Sequence, residues 1–138
     1  MDDKIIKMCK LYLLKADECL KAAEFNFTGN QLSACINRSY YCVFHCMNAC
    51  IVIHGFEFSK HSVVIAKFRE LFMKYKLLPV QLSDIIDGLF KYRNNYDYDV
   101  EIIPDDVTAE YCLKSARYFY DEVKKYLDIN VFIINETE

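Results

Sequence analysis

The sequence predicts an all-α protein, an up-and-down bundle of about five helices, and three observations carry that prediction. Hydrophobic residues make up 54% of the 138-residue chain and charged residues 27%, enough for a substantial core beneath a polar exterior. Only 3 Gly and 2 Pro are present, too few to turn the many short strands of a β-sandwich or barrel. Apolar residues recur at the three-and-four spacing of a helix face through most of the chain. The length suits one domain, since domains commonly run to about 100 to 150 residues. We place that domain at residues 1–128, followed by a C-terminal tail at 129–138.

Ile5, Met8, Cys9, Tyr12, Leu13, Ala16, Leu20 and Ala23 line one face and set a first helix from Ile5 to about Ala23. Thr28-Gly29-Asn30 breaks the pattern, with Gly29 suited to a positive φ and Asn30 to capping the next helix. The second helix, about Leu32 to His54, is apolar nearly all the way round, so other helices or a second subunit must cover it. His54-Gly55-Phe56 ends it, and a third helix runs from Lys60 to about Tyr75 with Val64, Ile65, Phe68, Leu71 and Phe72 inward. Pro79 opens the fourth as a tolerated first-turn proline, and its apolar face of Leu82, Ile85, Ile86, Leu89 and Phe90 continues through Arg93 to Tyr96. Pro104-Asp105-Asp106 signals the start of a fifth, strongly amphipathic helix from Ala109 to Leu127. In the tail, Val131-Phe132-Ile133-Ile134 is β-prone and suits an extended segment or pairing with another chain.

Lys+Arg 17 against Asp+Glu 20 gives a net charge of −3, which offers no global drive toward nucleic acid. Any such contact has to be local. From Asp97 to Glu110 there are six acids and no Lys or Arg, a negative patch that repels phosphate. Met1-Asp2-Asp3-Lys4 is not the start of a secretory signal. The longest apolar stretch, Val43 to Ile53, is interrupted by His45 and Asn48 and falls short of the roughly 20 residues that span a bilayer. A cytoplasmic protein away from membranes is therefore expected, with its seven cysteines as reduced thiols. Cys35, Cys42, Cys46 and Cys50 run along one helix axis, with turns about 5.4 Å apart, and do not converge on a point. They read as small buried hydrophobes. With no Glu-x-x-His pair, Gly-rich phosphate loop, Cys-x-x-Cys pair or nucleophile elbow, neither a metal nor a cofactor is expected.

Two polar constellations interrupt the apolar pattern. Arg38, Tyr41, His45 and Asn48 share one stripe of the second helix. Arg can hold a phosphate or carboxylate in a bidentate fork, and His suits proton transfer near neutral pH. An interhelical hydrogen-bond network is the plainer alternative. In the fourth helix, Arg93 shares a face with Ile86 and Leu89 and must be neutralised, with Asp97 one turn later as its local partner.

The tract Arg38-Ser39-Tyr40-Tyr41-Cys42-Val43-Phe44-His45, then Lys60-His61-Ser62 with Phe68 downstream, then Arg93 followed by Tyr96-Asp97-Tyr98, resembles the small single-domain HEPN proteins of bacteria and archaea. The similarity covers roughly Ala16 to Tyr126 in order and spacing. It implies a helical bundle that dimerises, and nucleotide or RNA binding through Arg38, Tyr41, Lys60, His61, Arg93 and Asn94. It also implies a two-component toxin-antitoxin or defence module whose partner is a minimal nucleotidyltransferase. In many such proteins an Arg, a polar residue, a short spacer and a His form a metal-independent ribonuclease site across the dimer cleft. Arg93 and Asn94 match the first two positions, but Tyr98 stands where the His is expected and no His follows Arg93. Val100 stands where the toxin group carries a modified tyrosine. If the chain is an enzyme, it is a metal-independent endoribonuclease using Arg93, Tyr98 and His45. Such cleavage needs a base for the 2′-hydroxyl and a cation for the phosphorane. A tyrosine with an ordinary pKa of about 10 is a poor base at neutral pH. His45 or His61 can replace it only if the fold brings one of them to Arg93. The alternatives are a non-catalytic adaptor or dimerisation module, and an active ribonuclease with a non-standard base.

Overall fold

Short connections and long amphipathic helices leave few ways to bury the apolar faces, and the chain takes the expected one. The structure, a computed structural model, describes residues 1–136. Within them the helices are α1 Asp3–Thr28, α2 Leu32–Val52, α3 His61–Phe68, α4 Gln81–Tyr98, α5 Asp106–Leu127 and a last short turn, α6 Ile133–Glu136. No strand occurs among the described residues.

The Asp2 carboxylate accepts the Lys4 N–H at 2.8 Å and starts α1. The helix continues past Ala23 to Thr28, where the Asn26 amide and Thr28 hydroxyl donate to carbonyls one turn back. At the α1–α2 turn the sequence reading is corrected: Gly29 has φ −81° and Asn30 takes the left-handed conformation at φ 58°. Asn tolerates that region because its short side chain bonds locally, so the glycine is not required there. The cap before α2 is Gln31, which makes no side-chain capping bond. Gly55, at φ +84°, ends α2 with its N–H on the Val52 carbonyl.

α2 lies at the centre, packed by α1, α3, α4 and α5 of the same chain. Cys35, Ile36, Val43, Cys46, Met47, Cys50 and Ile51 are all buried in it, which answers its all-round apolar surface without a second subunit. The third apolar run is not one continuous α-helix: after Phe68 it continues as a π-helical turn, Arg69–Met73, that places Phe72 against Phe68. The tail also differs from expectation. Residues Asp128–Phe132 form a second π-helical turn leading into α6, and Val131 and Phe132 join the core instead of extending as a strand. Residues 137 and 138 of that tail lie outside the described ones.

All seven cysteines are free and buried, and burial pushes the Cys9 and Cys112 thiols up to about 12. Among the described residues no group of three or more His, Cys, Asp or Glu is arranged to hold a metal ion. No helix among them is long and apolar enough to cross a membrane.

Candidate functional site

The last two turns of α4 lean on the first half of α2, and α3 begins beside them. Arg93 follows the buried Ile86 and Leu89 along one helical face, so its stem is drawn inward and its side chain is only 13% exposed. Its Nε donates to Asp97 Oδ2 at 3.2 Å, one turn along the same helix. Nη1 donates to Asn94 Oδ1 at 3.4 Å. Nη2 donates to the hydroxyls of Tyr41 at 3.1 Å and Tyr98 at 3.3 Å. The guanidinium also lies over the rings of Tyr40, Tyr41 and Tyr98, 5.1, 5.4 and 5.5 Å from their centroids. Cation–π contacts of this kind contribute about 0.5 to 2 kcal/mol each, so the aromatic surround holds the charge in place.

Arg38 lies against the same Tyr41 ring, 5.1 Å from its centroid. Its Nε and Nη2 both donate to Asn37 Oδ1, at 3.0 and 2.7 Å. Asn37 Nδ2 in turn donates to Asp97 Oδ2 at 2.9 Å. One carboxylate therefore serves two arginines, one directly and one through an amide. Among the described residues Arg38 has no carboxylate partner of its own.

His61, the first residue of α3, packs against Phe44 with ring centroids 4.0 Å apart and planes tilted by 31°, and its Nδ1 lies 2.9 Å from the Tyr40 hydroxyl. Burial and the Arg93 charge lower its pKa below the ordinary value. His45, one turn beyond Tyr41, has a ring contact with it at 6.3 Å and a buried Nδ1 without a hydrogen-bond partner. Burial, with the charges of Lys15 and Arg38, lowers His45 to about 4. Both imidazoles are neutral at pH 7.

The structure brings Arg38, Tyr41, His61, Arg93, Asn94 and Tyr98 into one cluster with His45 at its edge. It brings His61, and not His45, to Arg93, through their shared contacts with Tyr40. Lys60 is exposed just before α3 and joins none of the cluster's contacts, and Asn48 donates to the Phe44 carbonyl of its own helix at 3.2 Å. Sequence reasoning passed over Asn37, Tyr40, Phe44 and Lys15. Asn37 was within reach, since it precedes Tyr41 by four residues on the same stripe. Tyr40 and Phe44 stood in the tract from Arg38 to His45 that carries the family resemblance, but neither was given a role of its own.

The sequence model of the HEPN domain matches residues 9–126. A protein of Methanocaldococcus jannaschii named "Putative toxin MJ0142" is 33% identical over 113 residues, which cover 82% of this chain and 77% of the relative. A "UPF0332 protein" of Thermotoga maritima is 27% identical over 122 residues, covering 88% and 92%. A second M. jannaschii chain, "Putative toxin MJ0605", is 29% identical over 112 residues, covering 81% and 83%. The family match spans α1 to the end of α5, which is the whole frame that carries Arg38, His61 and Arg93, and the chain belongs to the HEPN domain family.

Proposed function

We propose that this chain is the RNA- or nucleotide-binding HEPN component of a two-component toxin-antitoxin or defence module, acting as a homodimer with a nucleotidyltransferase-type partner. The observation that carries the binding reading is the hydrogen-bond inventory around Arg93. The Tyr41 and Tyr98 hydroxyls accept from its Nη2, so their own protons are directed elsewhere, and Asn94 presents its Nδ2 after its Oδ1 is taken. With Arg38 alongside, the cluster is rich in donors and carries more positive than negative charge on an otherwise acidic chain. Such a surface suits a phosphate oxyanion. The names of the two M. jannaschii relatives support the toxin side of the reading.

Fluorescence anisotropy with a labelled single-stranded RNA tests it. Arg93→Ala weakens binding by roughly 10- to 100-fold, as expected for a charge-assisted hydrogen bond of about 1.5 to 3 kcal/mol. Binding unchanged in Arg93→Ala reduces Arg93 to a core ion-pair residue. Cleavage of that RNA by the wild type in chelator is expected to be weak or absent, because burial and the Arg93 charge make His61, the imidazole beside Arg93, a weaker base than an ordinary histidine, and His45 stands apart from Arg93.

The Arg93–Asp97 ion pair, with side chains 13% and 23% exposed, favours a second reading, a structural adaptor. In that case Arg93→Ala alters partner capture in a pull-down and leaves RNA affinity alone.

A further inference from the structure

We propose that the Arg93 cluster holds a terminal phosphate, the phosphomonoester end of an RNA strand or of a nucleoside monophosphate, and that His61 reads its second negative charge through an Nε2–H donor set in place by Tyr40. This rests on the phosphate-binding reading above.

The first observation is the Tyr40–His61 hydrogen bond. Tyr40 is 1% exposed and burial pushes its phenol up to about 12, so the hydroxyl keeps its proton. His61 Nδ1, at 2.9 Å, is its hydrogen-bond partner among the described residues. A buried O–H left without an acceptor is costly, so Tyr40 donates and Nδ1 accepts. The proton of the neutral ring then resides on Nε2, and the half-buried imidazole presents an N–H. His61 thus adds a donor to those of Tyr41, Tyr98, Asn94 and the two arginines.

The second observation is a charge surplus: two guanidinium groups, Arg38 and Arg93, share a single carboxylate. That carboxylate, Asp97, already accepts from Arg93 and Asn37 through Oδ2. A phosphodiester offers two non-bridging oxygens and one charge. A terminal phosphate offers three strong acceptor oxygens, which suit the free donors of Tyr41, Tyr98, Asn94 and His61 better, and close to two charges at neutral pH, one more than the two arginines less Asp97 balance. Every group facing His61 is neutral or cationic: Tyr40, Tyr41, Phe44 and His45 from α2 and Arg93 from α4, with Lys60 preceding it on the chain. A dianion supplies the missing negative charge. The ring then takes a second proton at Nδ1, and the Tyr40 hydroxyl turns from donor to acceptor.

The third observation is the run of exposed acids directly after Tyr98. Asp99, Glu101, Asp105 and Asp106 all face water there. Those charges repel a polyanionic strand that continues past Tyr98 more than a chain end that needs only to reach Arg93.

Isothermal titration calorimetry at pH 7 tests the inference, in two buffers of different ionisation enthalpy. The ligands are one short RNA carrying a 5′-phosphate, a 3′-phosphate or neither, and adenosine monophosphate. The wild type is expected to bind at least one phosphomonoester roughly tenfold or more tighter than the unphosphorylated strand, and the tightest of the three identifies the source. Its binding heat depends on the buffer, which reports proton uptake. His61→Gln keeps an N–H donor but cannot take a proton, so it loses the buffer dependence and most of the preference. Tyr40→Phe releases the tautomer and diminishes both. His54→Ala, at an exposed histidine away from the cluster, matches the wild type. Equal affinity for strands with and without a terminal phosphate, or buffer-independent heats in the wild type, overturns the proposal. If Arg93→Ala then weakens every ligand alike, the phosphate-binding reading survives and only the terminal assignment fails. If Arg93→Ala changes nothing, both fail.

Discussion

Arg93 owes its position to two opposing demands. Its stem continues the apolar face of α4, which brings the guanidinium inward, and the charge needs polar partners wherever it ends. Asp97, Tyr41 and Tyr98 supply them, leaving the Arg93 side chain 13% exposed and Tyr98 itself 72% exposed. His45 has no such compensation. Its folded pKa of about 4 lies below the ordinary value of 6.5, so as pH falls below 6.5 the unfolded chain binds a proton that the folded chain refuses. Stability is therefore complete above pH 6.5 and declines from there toward pH 4, and His61, lowered in the same direction, adds to the decline. Glu70 and Asp105, both lowered by hydrogen bonds to their charged forms, contribute only below about 4.5, so the window from about 6.5 to 5 isolates the histidines. Urea titrations followed by circular dichroism should show this slope in the wild type and a flatter one in His45→Gln. An unchanged slope in that variant would remove His45 as its source.

At the scale of elements, α1, α2, α4 and α5 were legible because helix-face periodicity is local and each has a clear start or stop signal. Less legible were the features that depend on what lies underneath. Val131-Phe132 has β propensity, yet the segment is helical, because a helical course after Leu127 keeps both side chains against the core. Tertiary burial outweighs an intrinsic preference that spans only about 1 kcal/mol. Phe132 is 8% exposed and lies beneath the Lys10 ammonium, 5.4 Å from its ring centroid. Phe132→Ala is expected to lower the unfolding free energy by about 3 kcal/mol, measured in urea. A loss below about 0.5 kcal/mol would mean that the tail contributes nothing beyond surface contact.

For the molecule as a whole, the expectation of a dimer needs a different basis from the one the sequence suggested. α2 is covered by its own chain, so its apolar surface makes no demand for a partner. On α4, Phe90 is 40% exposed beside the Tyr40 ring and one turn before Arg93, and we propose the dimer contact there. Light scattering at micromolar concentration should return twice the mass of one chain, with Phe90→Glu shifted to the mass of one. A single-chain mass for the wild type would count against the assignment. Charge is unevenly placed around the site, with Arg38 and Arg93 both over the Tyr41 ring and six acids, unrelieved by Lys or Arg, at residues 97–110.

By itself the sequence determined the helical class, most of the core and the family tracts, and it singled out Arg38 and Arg93 as candidate site residues. It could do so because those inferences rest on spacings of three, four and seven residues, which a helix converts directly into shared faces. Only the tertiary structure decided that His61 and not His45 stands with Arg93, and that the Tyr40 hydroxyl meets His61 Nδ1 from 21 residues away. It likewise decided that Asn37 reaches Asp97 across 60 residues and Arg93 reaches Tyr41 across 52. Those pairings depend on how α3 and α4 are laid against α2, and that is fixed by packing the whole core together, since no local pattern encodes the angle at which one helix meets another.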